Sequence, residues 1–235
     1  MRKVLGLKRT DGNLMFLYAV YMATLSVSNV LDNSYVFIFG HTLPASVLAY
    51  PLTFLVLNII RELWEEKYAS RAVLLGLSMK FVGIVLLGLS KLMNVFPDYG
   101  VRWELWSTLG TSFWEASTQM VLGRDFSFWT VSLITFPIAQ FANVWIFDAL
   151  LNRHIRRTGA PWGGRWVRYL CGALAGEVTE VTLFMVLAFA PDWGGIWWNI
   201  RCQIYVRAIF TFETLPLFYA LTWRRRGTNA RALRR

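Results

Sequence analysis

The chain of 235 residues is 56% hydrophobic and has a mean hydropathy of +0.42. Apolar residues make up just under half of an ordinary soluble domain. This composition therefore excludes an ordinary soluble domain and indicates a protein of the lipid bilayer. The formal net charge of +10 would suit nucleic acid if it covered a soluble face. The basic residues are instead concentrated between apolar segments, so we expect no nucleic-acid partner.

Six apolar segments predict six membrane-spanning helices. About 20 apolar residues cross a bilayer, and each segment approaches or exceeds that length. The segments are continuously hydrophobic, whereas a barrel strand alternates over about 10 residues. We therefore predict an all-α integral membrane protein, folded as one bundle and one domain over residues 1–235. The predicted spans are 14–31, 43–60, 72–96, 126–151, 169–190 and 204–223.

The basic residues predict the orientation of the chain. Most of the 24 Lys and Arg lie at the two termini and in the connections after the second and fourth spans. Since such residues stay on the cytoplasmic side, we expect a multi-pass protein of the cell (inner) membrane with both termini in the cytoplasm. The first span is too long for the core of a signal peptide and is interpreted as a retained helix. The arginines from Arg224 to Arg235 are interpreted as a topology determinant rather than a site for anionic lipid.

The longest outer connection, 97–125, is rich in tryptophan, with Trp103, Trp106 and Trp114. Tryptophan prefers the headgroup region of a bilayer. A belt at the membrane surface and an aromatic lid over a ligand both account for this segment, and the sequence leaves the two open.

The fifth span carries two glycines followed by two carboxylates. Gly172 and Gly176 are four residues apart, a spacing that lets another helix approach closely. Glu180 continues the same stripe, and Glu177 lies on a neighbouring part of that face. Two carboxylates so placed repel each other unless a cation or a shared proton lies between them.

The sixth span offers a cation for that pair. Arg207 shares a face with Thr211 and Thr214, which follow at spacings of four and three residues. An ionisable group inside a bilayer costs about 2.5 to 3.5 kcal/mol, so it needs a partner, a water-filled cavity or a function. We predict that Arg207 is the counter-ion of Glu177 and Glu180.

Further polar side chains come from three other spans. They are Asn29 in the first, Asn58 and Glu62 in the second, and Gln140 and Asn143 in the fourth. Any single amide is as well explained by a hydrogen bond between helices, worth about 0.6 kcal/mol. Their coincidence on several helices instead predicts a mid-membrane site that grips a small polar solute, as transporters do.

Four stretches of the chain are similar, in order, to the motifs of one known family. They are Tyr50-Pro51-Leu52-Thr53-Phe54-Leu55 with Asn58, Glu62 and Ala69-Ser70-Arg71; then Ser132, Gln140, Asn143 and Phe147; then Gly176 to Glu180 with Ala188-Phe189; and finally Arg207 with Leu215-Pro216-Leu217-Phe218-Tyr219. On these residues the chain resembles the vitamin uptake transporter family, which includes queuosine-precursor transporters. The resemblance covers nearly the whole chain.

This resemblance implies the import of 7-cyano-7-deazaguanine or 7-aminomethyl-7-deazaguanine, the bases used for queuosine synthesis in tRNA. Glu180 or Glu177 would accept the N–H groups of such a base, and Gln140, Asn143 and Arg207 would donate to its carbonyl. An aromatic ring would stack on the base, but the sequence does not select which one.

Three more residues, Asn58, Glu62 and Asn29, complete the predicted substrate-binding set. The expected partners are a purine-like base and the lipid bilayer, and we expect no cofactor and no metal. The sequence also departs from the family pattern, so a related substrate or altered proton coupling fits as well. The family has Asp at Asn58, Asn143 and Glu180, an amide near Glu177, Lys at Arg207 and Arg at Ser127.

The leading hypothesis is a secondary importer that works by alternating access, with a coupling proton on Glu177 or Glu180 as one version. A second is the substrate-binding membrane subunit of an ATP-driven vitamin importer, because Ala19 and Ala23 form a small-residue stripe that a partner would grip. The sequence leaves the oligomeric state open, including a homo-oligomer.

Two further classes receive less support. An intramembrane enzyme would need a catalytic motif, but the chain has no H-E-x-x-H or G-x-S-x-G, and its His41 and His154 are predicted in loops on opposite sides. A structural protein would leave the charged residues inside the spans without a role. We therefore predict a transporter and not an enzyme.

Overall fold

Six helices form from the apolar segments in the computed structural model, which describes residues 7–32, 34–38, 40–93, 125–160, 163–189 and 195–222. All six are long and apolar enough to cross a membrane, if the second is counted together with the 3-10 turn before it. This confirms the predicted all-α membrane fold. The helices are α1 (Asp11–Leu31), α2 (Tyr50–Leu63), α3 (Glu66–Met93), α4 (Asp125–Thr158), α5 (Arg165–Phe189) and α6 (Ile196–Thr222). Between α1 and α2 lie β1 (Tyr35–Ile38), β2 (His41–Pro44) and the 3-10 turn Ala45–Leu48.

Several helices are longer than the predicted spans. α3 begins at Glu66, α4 ends at Thr158 and α6 begins at Ile196, although their apolar segments were expected to begin at 72, end at 151 and begin at 204. Charged and polar residues continue these helices because Lys, Arg, Glu and Gln are good helix formers. The loop predictions for the histidines are therefore wrong, since His154 lies in α4 and His41 begins β2.

Some predictions lie outside the described residues. All of the tryptophan-rich connection 97–125 except its last residue lies outside them. The C-terminal arginines also lie outside them. The predicted span ends at 94–96, 190 and 223 fall outside them as well.

A β-hairpin occupies the connection between α1 and α2, where no strands were predicted from the sequence. β1 and β2 pair antiparallel with Tyr35 opposite Pro44. Gly40 makes the turn in the left-handed region, at φ 81°, which glycine adopts without steric cost. Leu43 of β2 packs against Val206 of α6, so the hairpin is held against one end of the bundle.

Helix α2 lies at the centre of the bundle. In the most apolar 18-residue stretch of this span, 83% is buried inside the protein. The corresponding share is 22% for α6 and 44% for both α4 and α5. A helix that is buried all round must pair its polar groups with other helices, because no water reaches them. Thr53, Asn58 and Glu62, all on α2 and all buried, therefore face neighbouring helices.

The two glycines of α5 allow its close contact with α2 and α4. A methyl group at Gly172 would lie 2.8 Å from Oδ1 of Asn143 on α4. At Gly176 it would collide with the ring of Phe54 on α2 and lie 3.0 Å from the carbonyl oxygen of Ala139 on α4. The predicted close approach of another helix at this glycine pair is confirmed, and two helices make it rather than one.

The bundle has two chemically different ends. The hairpin end carries β1 and β2. At the arginine-rich end, α2 and α6 end and α5 begins, and Arg61, Arg165 and Arg168 lie there. A backbone hydrogen bond from Leu7 to the carbonyl of Leu221 (2.9 Å) brings the start of α1 to the arginine-rich end as well.

The glycine contact predicts the effect of a single methyl group. Gly176→Ala should lower the free energy of unfolding by about 1 to 3 kcal/mol, because its Cβ has no space between α2 and α4. The matched control is Gly12→Ala in the first turn of α1, where a Cβ would meet nothing within 4 Å. Thermal unfolding in detergent should show a lower melting temperature for the first variant alone. Equal melting temperatures for both variants would contradict the packing described here.

Candidate functional site

A cavity of about 300 Å³ lies at the hairpin end, enclosed by the hairpin, α5 and α6. Small-molecule sites begin at about this volume, so the cavity suits a solute of one or two rings. Phe184 and Met185 of α5 form part of its apolar wall. Its polar wall includes Asp32, Ser46, Tyr50, Glu180, Gln203 and Arg207.

An ion pair between Arg207 and Glu180 forms one side of the cavity. Nη1 of Arg207 lies 2.5 Å from Oε2 of Glu180, and each side chain is 5% exposed. The guanidinium also lies over the ring of Tyr50, with its Cζ 4.5 Å from the ring centroid, in a cation–π contact. The predicted pairing of Arg207 with Glu180 is confirmed, and Tyr50 is the aromatic residue that accompanies it.

Glu177 lies about one turn further from the hairpin on the same helix and does not line the cavity. Its Oε1 accepts a hydrogen bond from Oγ1 of Thr211 at 2.6 Å. Its Oε2 is buried and has no hydrogen-bond partner in the described part of the chain. The predicted carboxylate pair is thus divided, since Glu180 binds the guanidinium and Glu177 binds a neutral hydroxyl instead of Arg207.

Asp32, the residue that follows α1, contributes a second carboxyl group to the cavity wall. Ser46, in the turn before α2, lines the same cavity. Asp32 lies beyond the membrane-spanning part of α1. The residue as a whole is half-buried, but its carboxyl group is surrounded by protein. Burial raises the pKa of Asp32 to about 6, although the Ser46 hydroxyl and the positive charges of Lys80 and Arg207 favour the ionised form.

Behind the cavity, Lys80 of α3 is 1% exposed. Its Nζ donates to Oδ1 of Asn29 at 2.6 Å and to Oγ of Ser132 at 2.8 Å, and it lies 5.1 Å from the centroid of the Phe136 ring. Asn29 is therefore a partner of Lys80 and does not line the cavity.

The predicted amides of α2 and α4 lie deeper in the bundle than the cavity. Nε2 of Gln140 donates to Oγ1 of Thr53 at 3.3 Å, and Asn143 packs against Gly172. Among the described residues, Oε1 of Gln140 and both polar side-chain atoms of Asn58 and Asn143 are buried without a hydrogen-bond partner. Such a group costs about 1 to 3 kcal/mol, so packing alone does not explain why these amides are present.

Glu62 is placed at the arginine-rich end and not at the cavity. Nη2 of Arg168 donates to its Oε1 at 2.9 Å, and Nε of Arg168 donates to its Oε2 at 3.2 Å. Nε of Arg165 lies 3.1 Å from the same Oε1. Arg165 also donates to the carbonyl oxygen of Thr222 at 3.1 Å, so these contacts join α2, α5 and α6.

Beside these contacts, Arg61 of α2 pairs with Asp148 of α4. We use the name charge cluster for Arg61, Glu62, Asp148, Arg165 and Arg168. Because the cluster connects four helices where α2 and α6 end, it closes this end of the bundle. A buried ion pair contributes little net stability, but the loss of one partner is costly because the other charge stays buried. Separating the members of the cluster is therefore costly while they stay buried.

Sequence reasoning assigned no site role to Asp32, Tyr50 or Arg168. Asp32 is one residue beyond the predicted first span, and a carboxylate at a span end was a usable signal. Tyr50 stands in the motif of the second span, but nothing local indicates that an arginine lies on its ring. Arg168 is separated from Glu62 by 106 positions, so no spacing rule connects them.

Comparison with known proteins gives one match. The sequence pattern of a family described as "Putative vitamin uptake transporter" matches residues 44–221. No curated protein matches the chain, and no solved structure does. The matched range includes the Arg207–Glu180 pair and the charge cluster, whereas Asp32 lies before it.

The Arg207–Glu180 pair predicts strongly non-additive mutations. Arg207→Met leaves a buried carboxylate without its cation and should lower the free energy of unfolding by about 3 to 5 kcal/mol. Adding Glu180→Gln should recover part of that loss, because the second change removes the uncompensated charge. Thermal unfolding of the two single variants and the double variant measures this coupling.

The control for this cycle is the Arg9–Glu65 pair, whose atoms are 2.9 Å apart but whose side chains are about half exposed, at 55% and 51%. Solvent screens such a pair, so Arg9→Met should leave the melting temperature nearly unchanged. Additive effects of the Arg207 and Glu180 substitutions would show that the buried pair is not formed.

Proposed function

Because the chain belongs to the vitamin uptake transporter family, we propose that it imports a small planar nucleobase, most specifically a 7-deazaguanine precursor of queuosine, by alternating access. The observation that carries this proposal is the cavity of about 300 Å³ with an ion pair in its wall. A neutral base with donors on one edge and a carbonyl beside them matches a wall that offers both a carboxylate and a guanidinium.

Within the proposal, each group of the cavity has a role. Glu180 accepts the ring N–H and exocyclic amine of the base, and Arg207 donates to its carbonyl. The ring of Tyr50, already in contact with Arg207, and the ring of Phe184 provide apolar faces for the plane of the base. Hydrogen bonds to charged groups are worth about 1.5 to 3 kcal/mol each, which is enough to select a base by its edge.

The two ends of the bundle support alternating access. The cavity lies at the hairpin end, while the charge cluster closes the arginine-rich end. Between them lie Asn58, Gln140 and Asn143, whose buried polar atoms lack protein partners in the described ranges. Opening of the charge cluster would bring these amides into contact with the solute or with water on its way to the arginine-rich end.

The orientation follows from the distribution of basic residues. Lys and Arg are retained on the cytoplasmic side, so the arginine-rich end faces the cytoplasm and the hairpin end faces outward in this proposal. The cavity would then receive solute from outside the inner membrane. Glu62 contributes to the closed cytoplasmic end rather than to the contact with the base.

A proton is the proposed coupling ion, and Glu177 is its proposed carrier. Glu180 is paired with Arg207 at 2.5 Å, whereas Glu177 has, among the described residues, only the hydroxyl of Thr211 as a hydrogen-bond partner. Burying a carboxyl group beside a neutral partner costs much free energy when the carboxyl is charged and little when it is protonated. Glu177 can therefore change its charge without breaking the ion pair that binds the solute.

A second candidate function is the substrate-binding subunit of an ATP-driven importer. Ala19 and Ala23 are both exposed on α1, next to the exposed Met15 and Phe16. Small exposed residues at this spacing suit close contact with a partner helix. This candidate predicts binding of the base without transport by the chain alone.

Uptake of labelled 7-cyano-7-deazaguanine into liposomes that contain only the purified chain separates these functions. We expect saturable uptake that increases when the outside is more acidic than the lumen. Glu180→Gln should reduce the uptake rate about tenfold or more, because it removes one charged hydrogen-bond acceptor. Glu177→Gln should keep base binding but lose the response to the pH gradient.

The matched control is Glu65→Gln, which changes an exposed carboxylate at the arginine-rich end and should transport like the unaltered chain. Binding without uptake would favour the ATP-driven subunit. Uptake that does not respond to collapse of the pH gradient would remove the proton coupling. Neither binding nor uptake of a 7-deazaguanine would remove the substrate proposal.

A further inference from the structure

Among the residues that the structure describes, the charge of Asp32 has no cationic partner in an ion pair. Asp32 lines the cavity wall together with Ser46. It forms no ion pair with a Lys or Arg of the described ranges. Since carboxylates in enclosed sites are normally paired with a cation, a residue of this kind indicates a ligand that supplies one.

The cations near Asp32 are already engaged by other groups. Arg207 binds Glu180 at 2.5 Å and lies on the ring of Tyr50. Lys80 lies outside the cavity wall and donates to Asn29 at 2.6 Å and to Ser132. Among the described charged residues that line the cavity, the two carboxylates Asp32 and Glu180 therefore outnumber the one cation, Arg207.

Aromatic side chains are also part of the cavity wall. Tyr35 of β1, Tyr50 of α2 and Phe184 of α5 line the same cavity as Asp32. A carboxylate together with aromatic faces is the environment that proteins use for alkylammonium groups, through charge-assisted hydrogen bonds and cation–π attraction. A neutral substituent at the same place would leave the carboxylate unpaired.

We infer that the cavity selects solutes that carry a protonated amine, and that Asp32 is the residue that binds this amine. The inference rests on the proposed function for the rest of the solute, since Glu180 and Arg207 bind its base edge. Asp32 lies at the hairpin side of the same cavity and binds a positively charged arm. A base with an aminomethyl arm should accordingly bind more tightly than the same base with an uncharged cyano group.

Acidification should weaken this selection. Burial raises the pKa of Asp32 to about 6, with Glu180 adding to the rise and Ser46, Lys80 and Arg207 opposing it. At pH 7.5 the carboxyl is ionised, and at pH 5 it is mostly neutral. An alkylamine, with a pKa of about 10, keeps its charge at both values. The preference for the charged ligand should therefore be large at pH 7.5 and small at pH 5.

The test compares two ligands that differ in that charge, 7-aminomethyl-7-deazaguanine and 7-cyano-7-deazaguanine, by calorimetry on the full chain in detergent. At pH 7.5 we expect the aminomethyl base to bind about tenfold or more tightly than the cyano base. Asp32→Asn should abolish this difference, because an amide does not pair with an ammonium group as a carboxylate does. A melting temperature of the unliganded variant close to that of the unaltered chain shows that the variant is folded. Glu65→Gln, outside the cavity, should keep the full difference.

A simpler pair, benzylamine and benzyl alcohol, tests the amine site without the base. Equal affinities for the two deazaguanines, or a preference that survives Asp32→Asn, would overturn the inference and leave the proposed function standing. If only benzylamine binds, and does so through Asp32, the amine site stands and the deazaguanine proposal falls. If none of the four compounds binds, both proposals are wrong.

Discussion

The need to satisfy every charge inside a bilayer explains where the polar residues of this chain lie. Central helix α2 is buried almost all round, so any charge on it or facing it needs a partner. Glu180 and Arg207 pair near the hairpin end, and Glu62 pairs with Arg165 and Arg168 at the other end. Between the two pairs, the glycines of α5 let α2, α4 and α5 pack closely.

This division of charge gives each end of the bundle its own chemistry. At the hairpin end the ion pair is part of a cavity and remains available to a ligand. At the arginine-rich end the charge cluster joins helices to each other, and no cavity-lining residue belongs to it. Uncharged amides such as Asn58 and Asn143 lie between the two ends. A polar solute can move past amides more readily than past fixed charges, because an amide binds such a solute more weakly than a charged group does.

Hydropathy and local spacing predicted much of this arrangement, and their limits are physical. The six helices follow from apolar length, and the Arg207–Glu180 pair follows from polar residues placed one turn apart on two spans. The hairpin was missed because its residues are as apolar as those of a helix start. The Glu62–Arg168 contact was missed because it depends on how α2 and α5 pack, and Asp32 because it follows the apolar segment directly. The amides were predicted to share one site, but the cavity excludes them.

Cysteine accessibility tests most directly whether the hairpin end is open while the charge cluster closes the other end. With Cys171 and Cys202 replaced by Ser, single cysteines at Ser46 and Asn58 are exposed to a membrane-impermeant thiol reagent applied to either side. We expect Ser46→Cys to react from the hairpin side and Asn58→Cys to be protected until Glu62→Gln is added, when it reacts from the arginine-rich side. Rapid reaction of Asn58→Cys with Glu62 intact, or its continued protection in the double variant, would contradict a closure held by Glu62.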